Sequence, residues 1–197
     1  MYKRQEERGR RYLYDFGFTF GDWLALDGTT PSSFKGNTDD VYLASVYYCH
    51  SVELAGKAAG ILGYSEDENN FEELYKKIKD AVFREFYTPS GRLAVDTQAA
   101  YVAALRFDIC PDRQKVIDQF RIRLKKDGYQ IRCGFVGAPL LCSVLAENGM
   151  QDLAWDMLLN EDFPGWLYEV NLGATTIWER WNSVLPDGSM NPAGMNS

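Results

Sequence analysis

The sequence predicts an all-α protein built from antiparallel helix hairpins. Three observations carry that expectation. Apolar residues recur at three- and four-residue steps through most of positions 40–159, a glycine or a proline-containing turn closes most of these stretches, and the connections between them are short. With 197 residues, 46% hydrophobic and 14% aromatic, the chain is long enough for one domain with its own core.

The first helix is expected from Asp40 to about Leu62, where Tyr42, Val46, Cys49, Val52, Ala55, Ala59 and Leu62 recur on one stripe and Gly63 follows as a stop. Ser65-Glu66-Asp67-Glu68 has the S-x-x-E form of a capping box. Phe71, Leu74, Tyr75, Ile78, Val82 and Phe86 then make the apolar face of a second helix, which ends at the turn Thr88-Pro89-Ser90-Gly91. A third helix is expected over about 96–107. Pro111 stands where N1 of a fourth would be, with Val116, Ile117, Phe120 and Leu124 inward and Gly128 after Lys125 and Lys126 at its end. Two shorter helices follow at 140–148, closed by Gly149, and at 151–159. The basic residues that alternate with the stripes, among them Lys76, Lys79, Arg121 and Lys125, read as solvated faces.

Acidic residues outnumber basic ones, 28 to 21, for a net charge of −7. That balance excludes a sequence-independent grip on nucleic acid, which depends on Lys and Arg neutralising phosphates, and a neutral or weakly polar ligand fits better. No run approaches the roughly 18 apolar residues of a membrane span, and the compartment stays open. Cys49, Cys110, Cys133 and Cys142 stand singly in apolar stretches with no C-x-x-C pair. They read as buried free thiols rather than a disulfide frame or a metal site, and no metal or cofactor is expected. His50, the sole histidine, reads as structural or exposed. The opening MYKRQ looks like the translation of a sequencing-library adapter, so residues 1–5 are expected to be foreign to the fold and 6–197 to be part of a catalytic domain.

Helical periodicity fails in three places, 16–37, 129–139 and 163 to the end. Loops carried by a rigid scaffold are where function concentrates. In the first, Gly21-Asp22-Trp23 fits either a structural loop, with Trp23 in the core and Asp22 capping a turn, or a sugar site in which an indole stacks on a pyranose beside a carboxylate. The second, Arg132 to Pro139 with Gly134 and Gly137, has no nucleophile beside a base and reads as a helix entry that sets packing between hairpins. The third contains Pro164-Gly165-Trp166-Leu167-Tyr168-Glu169-Val170 and then Gly173-Ala174-Thr175-Thr176-Ile177-Trp178-Glu179-Arg180-Trp181. Thr176-x-x-Glu179 has the form of a second capping box, yet three tryptophans around a single carboxylate fit a glycosidase cleft better than a helix start.

In order along the chain, GDWLALDGTTP, AAGILG, DTQAAYVAALRFDI, CGFVGAPLL, PGWLYEV and GATTIWERWNSVLPDG resemble the second half of the (α/α)6 barrel of bacterial α-L-rhamnosidases, glycoside hydrolase family 78. The resemblance extends from about Gly17 to Ser197, and PGWLYEV followed by GATTIWERW is its most specific part. It implies about half of a toroid of six helix hairpins. The other half and flanking β-sandwich domains would be partners on the same polypeptide. It also implies inverting hydrolysis of an α-L-rhamnoside of a glycan or plant glycoside, with Glu179 as general base and Trp23 packed on the rhamnose. Asp22 is a weaker substrate-binding candidate, and Trp166, Tyr168 and Trp178 are candidates for the aromatic walls. A base must be ionised, which asks for hydrogen bonds or a cation such as Arg180 beside Glu179. The family's acid-bearing motif, R-D-E-R-x-G-W, has no counterpart here, so this stretch is expected to be inactive by itself. Two other readings remain open: another inverting (α/α)6 glycosidase, or a helical-repeat scaffold that binds protein. The lack of self-similarity at a fixed period weighs against the scaffold.

Overall fold

The computed structural model describes residues 11–28, 34–185 and 187–192. Residues 1–5, assigned above to an adapter, and 29–33 of the first irregular segment lie outside them. Among the described residues there are seven helices: α1 (Asp40–Leu62), α2 (Ser65–Phe86), α3 (Gln98–Arg106), α4 (Arg113–Lys126), α5 (Ala138–Glu147), α6 (Gln151–Leu158) and α7 (Trp166–Asn171). Extended pairing is limited there to isolated bridges such as Trp23 with Lys35. No helix among them is long and apolar enough to cross a membrane.

The helices pair as α1 with α2, α3 with α4 and α5 with α6, and α3 also packs against α1 and α5. Helices α1, α3 and α5 therefore form one layer, with α2, α4 and α6 outside it. The sequence of α3 follows from that position. Its residues 98–105 are all buried, so QAAYVAAL shows no polar stripe, and its four alanines let neighbouring helices approach closely.

The ends of the helices have identifiable causes. Asp39 Oδ1 accepts the Tyr42 N–H at 2.8 Å to cap α1, and Gly63 ends it with φ 79°, a left-handed conformation that favours glycine. The capping box expected at Ser65 does not form. Tyr64 is the N-cap of α2, no side chain caps it, and Ser65 already lies in the first turn because only two residues separate the helices. Thr97 caps α3 through the Ala100 N–H and Asp112 caps α4 through the Lys115 N–H, so Pro111 precedes the cap instead of occupying N1. Helix α5 begins two residues earlier than expected, because Pro139 fits the first turn, where no N–H is needed. The short α7 was not anticipated, its six residues being fewer than two full turns of periodicity.

The N-terminal ends of the inner helices lie together. Thr38 Oγ1 and Thr97 Oγ1 are 2.7 Å apart, and a Cβ on Gly137, just before α5, would stand 3.2 Å from Ala99 Cα in α3. Gln98 ties the connection after α4 to this end. Its amide donates to Asp127 Oδ2 and to the Gln130 carbonyl, both at 2.8 Å, while its Oε1 accepts the Arg132 N–H at 3.0 Å. All four cysteines are free thiols, with Cys49 and Cys133 buried.

On α1 the side chains of Tyr47, Leu54 and Ile61 recur at seven-residue steps and are exposed by 38%, 51% and 86%. A helix returns to nearly the same face every seven residues, so these groups form one apolar stripe. We expect the 197-residue chain, expressed as such, to self-associate through that stripe. Leu54→Glu combined with Ile61→Glu should shift it toward monomer by light scattering. A monomeric wild-type chain would show that the stripe drives no association.

Candidate active site

The three irregular segments meet. Asp22, 1% exposed, accepts the N–H of Gly134 at 2.8 Å through Oδ2 and the N–H of Val136 at 2.9 Å through Oδ1. The Leu26 N–H donates to the Arg132 carbonyl and the Phe135 N–H to the Trp23 carbonyl, both at 2.9 Å. Gly134 makes this contact sterically possible. A Cβ there would lie 2.1 Å from the Trp23 carbonyl oxygen and 2.5 Å from the Ala25 nitrogen. From the other side, Trp181 donates its indole N–H to the Cys133 carbonyl at 3.3 Å and sets its ring edge-on to Trp166, 5.3 Å between centroids.

Where they meet there is a cleft of about 220 Å³. The first segment contributes Leu24, the second Gly134, Phe135, Ala138 and Pro139, and the third Trp166, Ile177, Trp178, Glu179 and Trp181. Glu179 is the one acidic side chain among these lining residues. The backbone from 174 to 182 has neither helix nor strand, so Thr176 opens no helix and the capping-box reading of Glu179 has no structural basis. Arg180 turns its guanidinium over the ring of Phe34, 4.9 Å from the centroid.

Of the residues expected at the site, Trp166, Trp178 and Glu179 share this cleft. Trp23 lies in an adjoining aromatic array, stacked on Phe34 at 5.4 Å and 14° and meeting Phe20 edge-on at 5.6 Å. Tyr168 donates its hydroxyl to the Val184 carbonyl at 3.4 Å and packs edge-on against Phe163. Both carboxylate oxygens of Asp22 are committed to the main chain at Gly134 and Val136, and Asp22 is not among the residues lining the cleft. Three further residues belong to this region. Trp181 is the last residue of I-W-E-R-W, whereas Phe34 carries no local signal. Glu169, a carboxyl in the apolar turn of α7, is not among the residues expected at the site. It is 3% exposed, and its Oε2 accepts the Trp178 N–H at 3.3 Å.

The two buried carboxyls are electrostatically similar. Burial pushes Asp22 up to about 6, against the opposing pull of the Gly134 and Val136 N–H groups. Burial likewise pushes Glu169 up to about 7, against the Trp178 N–H. For a raised carboxyl the native state binds more protons than the unfolded chain. Its stabilising contribution is thus complete below the unfolded value, 3.8 for Asp22, and is lost as pH rises through about 6. In the full-length polypeptide, Asp22→Asn should therefore lower Tm more at pH 4.5 than at pH 7.5. A deficit that grows toward alkaline pH would contradict the buried-carboxyl assignment. Gly134→Ala should cost about 3 kcal/mol, the upper end for overpacking, because its Cβ meets main chain that cannot rotate away. Chemical denaturation measures this directly, and a loss below about 1 kcal/mol would mean that the loops can separate at little cost.

Comparison with known proteins agrees with this geometry. The family described as the bacterial alpha-L-rhamnosidase 6 hairpin glycosidase domain matches residues 1–197. An alpha-L-rhamnosidase of Alteromonas sp. (strain LOR) is 38% identical over an alignment of 185 residues that covers 91% of this chain and 20% of that protein. Among solved structures, native alpha-L-rhamnosidase from Aspergillus terreus superposes with TM-score 0.82 at 31% identity, over 89% of this chain and 21% of that one. The Streptomyces avermitilis alpha-L-rhamnosidase, solved in complex with L-rhamnose, gives 0.78 at 32% identity, over 88% and 16%. The chain thus spans about a fifth or less of the length of these relatives. Helix hairpins, the convergent cleft and a match along its whole length place one conclusion beyond the individual motifs: this chain belongs to the bacterial alpha-L-rhamnosidase six-hairpin glycosidase domain family.

Proposed function

We propose that the chain is about half of the catalytic barrel of an enzyme that hydrolyses α-L-rhamnosides of glycans or plant glycosides with inversion, and that Glu179 is its general base. The observation that carries this reading is the position of Glu179 as the one acidic group, among the described residues, lining a cleft walled by Trp166, Trp178 and Trp181. A deoxy sugar presents C–H faces and a methyl group, which apolar and aromatic walls accommodate, and a dry wall strengthens each electrostatic contact made inside it.

Inversion requires two carboxyl groups on opposite faces of the ring, about 6.5–9.5 Å apart, with a water between one of them and the anomeric carbon. In the proposed reaction Glu179 takes a proton from that water as its oxygen bonds to C1. The bond from C1 to the glycosidic oxygen breaks, and a general acid protonates the departing oxygen. This acid, the remaining hairpins and the β-sandwich domains would come from elsewhere on a longer polypeptide, and the stretch by itself would be inactive. Those hairpins would cover the apolar stripe on α1. Trp23, beside the cleft next to Leu24, would contact the sugar at the rim. Asp22 and Tyr168 would act through the segments they hold.

Glu179→Gln tests the assignment. In the full-length polypeptide this variant should melt within a few degrees of wild type and hydrolyse an aryl α-L-rhamnoside at least ~100-fold more slowly, as expected for a lost general base. Azide needs no deprotonation, so it should restore part of the rate and yield the β-configured rhamnosyl azide. A folded variant that keeps more than a tenth of wild-type kcat would remove Glu179 from the base role.

A further inference from the structure

Glu169 occupies a position that packing does not explain. It is 97% buried on α7, where an apolar side chain would fill the space without the cost of desolvating a carboxyl, and its Oε1 has no hydrogen-bond partner among the described residues. Its other oxygen has a specific task. Oε2 accepts the N–H of Trp178, the residue immediately before Glu179, at 3.3 Å. The main-chain carbonyl of Glu169 accepts the N–H of Ala174 at 3.0 Å as well. One residue therefore grips the segment leading to Glu179 at both of its ends.

That segment needs such a grip. From 174 to 182 it has neither helix nor strand, so no regular ladder fixes the direction in which Glu179 leaves the backbone. Burial of the carboxyl, reflected in a pKa raised to about 7, keeps the contact out of competition with water.

We propose that Glu169 is the positioning residue for Glu179: its carboxyl fixes the main chain at Trp178 and so aims the neighbouring carboxylate into the cleft. The proposal rests on the reading of Glu179 as general base, and the two can fail separately.

The test uses the full-length polypeptide, an aryl α-L-rhamnoside, and Glu169→Gln and Glu169→Ala, each alone and combined with Glu179→Gln. Glu169→Ala should lower kcat by about tenfold or more, since misplacing a reacting group by about 1 Å can cost up to 10²-fold, while KM changes less than about twofold. Glu169→Gln keeps an acceptor for the Trp178 N–H and should recover at least about a third of wild-type kcat. With Glu179→Gln already in place, adding Glu169→Ala should cost less than about twofold, because no base remains to be aimed.

The same tenfold loss in both backgrounds would overturn the proposal in favour of a general structural role. So would wild-type kcat in Glu169→Ala, or a Glu169→Gln variant as slow as the alanine one. If Glu169→Ala does not fold, Glu169→Met, which fills the space without offering an oxygen, is read in its place, and failure of both to fold also overturns the proposal. An active Glu179→Gln single variant would instead defeat the general-base reading itself, whatever Glu169 does.

Discussion

The Asp22 carboxylate, which accepts main-chain N–H groups from Gly134 and Val136, joins segments more than a hundred residues apart in sequence, and the candidate site depends on that junction. Together with the Leu26–Arg132 and Phe135–Trp23 main-chain bonds it brings Leu24 and Phe135 to one cleft, where the Cys133 carbonyl meets the indole N–H of Trp181. Two acceptor oxygens on one short side chain suit this task. They meet two amides of an irregular loop that has no ladder of its own, and a buried amide left unpaired would be costly. The close approach also requires that position 134 carry no side chain.

The site therefore rests on two kinds of support. Helices α1, α3 and α5 provide the frame, brought together at their N-terminal ends by small residues and by the Thr38–Thr97 contact. Upon that frame, non-helical backbone is held by single polar side chains: Asp22 on 134–136, Gln98 on 127–132, and Glu169 on Trp178. Each withdraws polar atoms from water and each fixes one stretch of chain. Burial raises the pKa of both carboxyls, so a position is held at the expense of some stability at neutral pH.

Long-range polar contacts also separate two roles that aromatic and acidic residues can play in one motif. Asp22 and Trp23 are adjacent in sequence, but one is directed inward to the main chain while the other stacks on Phe34. Glu169 and Glu179 belong to neighbouring motifs, and one is buried outside the cleft lining while the other lines it. Residue type alone does not distinguish these pairs, because burial is decided by what the rest of the chain places around them.

The sequence by itself determined the six longer helices, since periodicity over two or more turns is a local property that tertiary packing then uses, and α1 and α4 end near their expected positions. Its motifs also marked Glu179, Trp166 and Trp178 as belonging together. Caps were less legible. Ser65-x-x-Glu68 and Thr176-x-x-Glu179 have the same spacing, but a two-residue connection overrides the first and no helix follows the second. Only the tertiary structure decided that Asp22 is a clamp, that Trp23 stacks on Phe34 and that Glu169 holds Trp178. The physical reason is separation along the chain. A stripe is written within one helix, whereas a buried carboxyl's partner can lie more than a hundred residues away and leaves no spacing to read.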